Sequence, residues 1–196
     1  SASSAGLKLI PLMLGIVSMS IFSGKYISTH GHYKRFPILG TLIITIGLIA
    51  MTRLEISTNY WEIAIFAILI GMGLGLSMQT IVIALQNAVE MRDMGVATSS
   101  NTFFRSLGAV FGTAFFGSVL TNRLAHYMQS GFAELAKTNP QAVANIDPAK
   151  LKALSSNSTL IKTLPMDVKN TVLQAFVNSF HVVFYAAAPV TLLGFF

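Results

Sequence analysis

The side chains with chemistry to offer are few, and they stand inside long apolar runs. Gln79 and Gln86 interrupt the run from Trp61 to Val89. Seven residues apart, they fall on one face of a helix. An amide costs free energy in hydrocarbon unless it finds a partner, so this face points to protein or to a watery cavity. Two readings stay open: a cavity wall that hydrogen-bonds substrate, or polar glue between helices. In the next run Thr98, Asn101, Arg105, Gly108 and Gly112 share one stripe at helical spacing. Gly108 and Gly112, like Gly71 and Gly75, are four apart, which lets two helix backbones approach closely. Arg105 lies about 15 Å along its helix from the preceding turn. Its guanidinium either snorkels to headgroups or pairs inside the protein, and the small residues on its stripe favour the second. Gln79, Gln86, Asn101 and Arg105 are thus the candidates for a substrate path. Farther on, Gln174, Asn178, His181 and Tyr185 align on one face and read as a polar seam.

No carboxylate sits deep in any apolar run; Glu62 and Glu90 mark the two ends of the one that holds Gln79. Proton-driven transporters use a buried carboxylate that loads and releases a proton. In a transporter of that kind, the coupling group would lie outside this segment. The chain has no cysteine, which removes thiolate metal sites and disulfides. No His, Asp and Glu residues cluster at ligand spacing, and no Ser, His and Asp could be gathered by the apolar runs. We expect no metal, no cofactor, no catalytic residues and no enzyme. Gly71, Gly73 and Gly75 are not a nucleotide loop, because no strand precedes them and no acidic residue follows at ribose-binding distance.

The elements that must position these residues are spans. A transmembrane helix needs about 20 mostly apolar residues, and five stretches qualify or come close: 5–26, with Pro11 one turn inside; 36–51, which is short; 61–89, long enough to tilt; 95–120; and 172–196, with Pro189 as an expected kink. The four earlier spans fill 1–121. A long polar loop, 122–171, carries Pro140, Pro148 and Pro165. Within it Asp147 can cap a short helix starting at Pro148, which either lies on the membrane surface or gives way to an irregular loop. Asn157, Ser158 and Thr159 match a glycosylation sequon of the kind that arises by chance. Without an initiator Met, and ending in an apolar stretch at Phe196, the chain reads as a piece of a larger protein.

Composition agrees with a lipid solvent. Of the 196 residues 53% are hydrophobic and only 10% charged, and the mean hydropathy is +0.66; an average soluble domain carries roughly 25% charge. The net charge of +6 would suggest nucleic acid in a soluble domain. Here the basic residues are spread over polar connections and form no basic helix face, so anionic headgroups are the expected partner and nucleic acid is not. Counted over short loops and span ends, the positive residues Lys25, Lys34, Arg35 and Arg92 put the 25–35 connection on the cytoplasmic side. The long loop then falls outside.

The segment from Ser23 to Pro37 resembles the signature loop of the major facilitator superfamily, G-x3-D-R-x-G-R-R. Gly24 and Gly31 match its glycines, and Lys34 and Arg35 its basic end; Ser28 and Thr29 stand where the Asp and first Arg belong. It looks like the weakened copy found in the C-terminal half of such transporters. Met78-Gln79, Gln86-Asn87-Ala88-Val89, Gly95-Val96-Ala97-Thr98-Ser99 and Phe103-Phe104-Arg105-Ser106-Leu107-Gly108 are similar to the fourteen-span drug:proton antiporter branch. The resemblance implies an all-α polytopic membrane helix bundle, part of the C-terminal half of a major facilitator fold, with these spans as ten to fourteen. It further implies a missing N-terminal half as partner, protons and small amphipathic molecules as cargo, alternating access as the mechanism, and a bacterial inner membrane as location. An exporter of one metabolite, lipid or siderophore is the rival within the class. A non-transporting membrane scaffold is the rival outside it.

Overall fold

The structure is a computed structural model, and it describes residues 6–31, 33–140 and 165–194. Among these residues there is no strand. The helices are α1 (Ile10–His30), α2 (Arg35–Met51), α3 (Tyr60–Ala88), α4 (Met94–Thr138) and α5 (Met166–Leu193), with a 3-10 turn, Met91–Asp93, before α4. Four of them, all but α2, are long and apolar enough to cross a membrane. With 17 residues, α2 spans only about 25 Å at 1.5 Å per residue.

The helix ends follow local chemistry. Pro11 sits in the first turn of α1, where its missing N–H is not needed. Gly31 closes α1 in the left-handed region, φ 70°, and its N–H donates to the Ile27 carbonyl at 2.8 Å; a side chain there would cost about 1–2 kcal/mol. Asn59 caps α3 by accepting from the Trp61 N–H at 3.4 Å, and Glu62 stands in the first turn, where the helix dipole favours an anion. Pro189 lies inside α5, which runs on to Leu193.

The chain forms two compact units. In the first, α3 packs against both α1 and α2 through glycines on opposite faces. A methyl at Gly71 would strike the Leu12 carbonyl oxygen, and one at Gly75 that of Ile16; a methyl at Gly73 would lie 2.5 Å from the Gly40 carbonyl oxygen. The neighbours answer in kind. Gly15 faces the Ile68 carbonyl oxygen at 2.5 Å, and Gly47 faces Ile70 Cγ1 at 2.6 Å. Ser20 Oγ donates to the Gly75 carbonyl at 3.3 Å. Ile27, Phe36 and Leu76 are buried together at one end of this slab, and Thr45 and Thr191 hydroxyls meet at 2.9 Å, joining the end of α5 to α2.

The second unit corrects the expected boundaries. The polar loop is expected to start at Asn122, yet α4 continues to Thr138, and α5 begins at Met166 rather than Val172. The reason is an amphipathic stripe too polar overall for a span. Leu124 and Met128 on α4 bury themselves against Val172 and Ala175 on α5, flanked by Tyr127, Phe132, Leu173 and Phe176. Val168 and Val172 have no exposed surface. Asn139 Nδ2 donates to Asp167 Oδ2 at 3.1 Å. At 45 residues, α4 is about 68 Å long, more than twice the hydrocarbon thickness. The Pro148 surface helix and the Asn157 sequon lie outside the described residues.

Candidate functional site

Gln79 and Gln86 do sit on the same helix, α3, but in different settings. Gln79 is half-buried, and a methyl at Gly24 would lie 3.9 Å from its Cγ, so it faces α1. Gln86 is exposed. On α4, Asn101 is half-buried and Arg105 exposed. Among the described residues none of these four side chains has a hydrogen-bond or ion-pair partner. Asp93, at the turn before α4, pairs with Arg92 at 3.6 Å.

The four packing glycines divide. Gly71 and Gly75 are buried and in backbone contact with α1, whereas a methyl at Gly108 or Gly112 would meet nothing within 4 Å. The close packing expected at Gly108 and Gly112 is therefore not made with any described residue. Nor is any residue of α4 from Met94 to Asn122 buried; Phe103, Phe104, Val110 and Phe111 are all exposed. The spanning part of α4 offers an apolar surface with one polar and small stripe, and both stand open.

The signature segment is mostly helix rather than loop. Ser28 and Thr29, at the positions of the family's Asp and Arg, are in the last turn of α1, and both hydroxyls donate back to the Lys25 carbonyl, at 2.9 and 3.1 Å. They are spent locally and carry no charge. Gly24 lies against Gln79, Gly31 forms the cap, Lys34 precedes α2 and Arg35 opens it. Phe22, Tyr26, His30, Arg35, Phe36 and Leu39 line a groove of about 530 Å³ between α1 and α2. The Tyr26 ring stacks on His30, centroids 4.4 Å apart, and meets the edge of Phe36 at 5.3 Å.

Three members of the polar seam on α5, Gln174, Asn178 and His181, make hydrogen bonds within the second unit. Gln174 Nε2 donates to Asn178 Oδ1 at 3.1 Å, and His181 Nε2 donates to the Leu54 carbonyl at 2.7 Å. Gln174 and Asn178 also line a cavity of about 630 Å³ with Tyr127, Ser130, Glu134 and Thr138. Sequence reasoning missed that cavity because half of it lies on the helical extension of α4. It missed Gly15, Gly40, Gly47 and Gly73 too, although Gly40 and Gly47 stand seven apart, on one face of α2. Among the described residues no three His, Cys, Asp or Glu could hold a metal ion.

No family model matches the chain, and no solved structure does. Curated relatives do. An MFS-type transporter of Mycobacterium tuberculosis is 32% identical over 195 residues, the whole of this chain and 26% of the relative. A multidrug transporter protein of Bacillus subtilis is 30% identical over 94% of this chain and 37% of its own length. A tetracycline resistance determinant of Streptomyces rimosus is 28% identical over 98% of this chain and 60% of its own length. The chain thus spans between about a quarter and three-fifths of the relatives it matches. With helices long and apolar enough to cross a membrane and an alignment to such a transporter over the whole of this chain, the chain belongs to the major facilitator superfamily of multi-pass membrane proteins.

Proposed function

We propose that this chain is a C-terminal segment of a proton-driven exporter of small amphipathic molecules, of the fourteen-span branch, in a bacterial inner membrane. The exporter works by alternating access, two halves rocking around a site near the midplane. The observation that carries the reading is the open stripe of α4. Asn101, Arg105, Gly108 and Gly112 share one face of a span that no described residue covers. A cation at the centre of a spanning helix costs about 2.5–3.5 kcal/mol on insertion scales, so a lipid-facing Arg105 without a partner would be a liability. A carboxylate of the other half, facing this stripe, offsets that cost and lines the path. The relatives named for multidrug transport and tetracycline resistance support the cargo class.

The test is export by the full-length protein in cells stripped of their own efflux pumps. Wild type is expected to lower dye accumulation and to lose that ability when a protonophore collapses the gradient. Arg105→Ala abolishes export at normal membrane levels. Arg105→Lys keeps the charge without the planar fork and exports partly. If Arg105→Ala exports as well as wild type, the residue only reaches for headgroups and the substrate-path reading fails. Export of a single metabolite and of no dye would move the protein to the narrower rival.

A further inference from the structure

The groove between α1 and α2 has a feature that transport does not explain. One end is cationic and the other apolar. Arg35 stands at the polar end, with Lys34 next to it and Lys25 on the last turns of α1. Phe22 lies eight residues before His30 on α1, about 12 Å deeper by helix rise, and Leu39 is one turn deeper than Arg35 on α2. Phe22 and Leu39 are both largely exposed. The first acidic residue in the sequence is Glu55, so neither helix supplies a carboxylate, and Arg35 forms no ion pair among the described residues. Tyr26, stacked on His30 and edge-on to Phe36, fixes the floor between the two ends.

We propose that this groove binds one anionic phospholipid, its phosphate on the Arg35 guanidinium and the start of an acyl chain over Phe22 and Leu39. The charge complementarity comes from a cationic mouth without an acid on either helix. The depth comes from an apolar floor that runs toward the bilayer centre, which a free phosphate would not use. Arg is suited to the role because its fork engages two phosphate oxygens at once. The site is independent of α4 and of the cargo, so it stands or falls separately from the export reading.

The full-length protein, purified in detergent, is offered phosphatidylglycerol, phosphatidylcholine with the same chains, or inorganic phosphate, and retained lipid is counted by native mass spectrometry. Phosphatidylglycerol is expected to be retained over phosphatidylcholine. Arg35→Gln lowers its retention about fivefold, the factor for one cation at a membrane surface. Arg53→Gln, at the other end of α2, leaves retention unchanged. Leu39→Asp is a second variant that lowers retention without removing a cation. Equal retention of the two lipids, displacement of phosphatidylglycerol by equimolar inorganic phosphate, or full retention in both variants overturns the proposal.

Discussion

Ser77 and Gly40 meet where α3 crosses α2. The Ser77 Oγ fills the place a methyl would take at Gly40, and it is buried with no hydrogen-bond partner among the described residues. A buried hydroxyl left unpaired costs about 1–3 kcal/mol. Ser77→Ala is therefore expected to leave thermal stability of the full-length protein unchanged or to raise it. Gly40→Ala forces the helices apart and lowers stability by about 1–3 kcal/mol. Equal losses in the two variants would show that the hydroxyl has a partner after all. At the same scale, cysteines at 79 and 86 test the substrate path, since this chain has no cysteine of its own. Both are expected to react with a water-soluble thiol reagent in at least one transport state of the full-length protein. If neither reacts in any state, the two amides are glue. The sequence could place these glutamines on one helix face by spacing alone. It could not tell that Gln79 turns toward Gly24, because that depends on which helix α3 packs against.

Helices were legible wherever apolar residues run on without a break, because lipid forces each span to be long and continuous. The starts of α2 and α3 fall within a residue of expectation, at Arg35 and Tyr60. The end of α4 and the start of α5 fared worse for a physical reason. Beyond Val119 the stabilising pattern changes from continuous apolarity to a stripe, with Leu124 and Met128 on α4 and Val168 and Val172 on α5. A search for uninterrupted spans passes over such a stripe, although the four-residue spacing is plain in the sequence. The side of the membrane on which this hairpin stands is part of the export reading. A protease site inserted near Asn157 is expected to be cut in intact spheroplasts. Cutting only after lysis would invert the topology and, with it, the cytoplasmic assignment of the Lys25 to Arg35 segment.

For the molecule as a whole, the glycines of α3 carry a consequence for motion. Contacts at Gly71 and Gly75 are backbone against backbone, and Gly73 meets the Gly40 carbonyl as well as the Ile44 side chain, so little can change rotamer to let one helix slip past another. Sliding α3 by a fraction of a turn would drive carbonyls into Cα atoms on two sides at once. The slab of α1, α2 and α3 therefore behaves as one mechanical body through any working cycle, and compliance is expected in α4, where no residue from Met94 to Asn122 is buried against the described residues. Deuterium uptake by the full-length protein reads this out. Amides from 68 to 77 should exchange slowly and equally with and without cargo, while those from 98 to 112 change their exchange rate as the protein turns over. Cargo-dependent exchange in 68 to 77 would mean that the three-helix slab itself flexes.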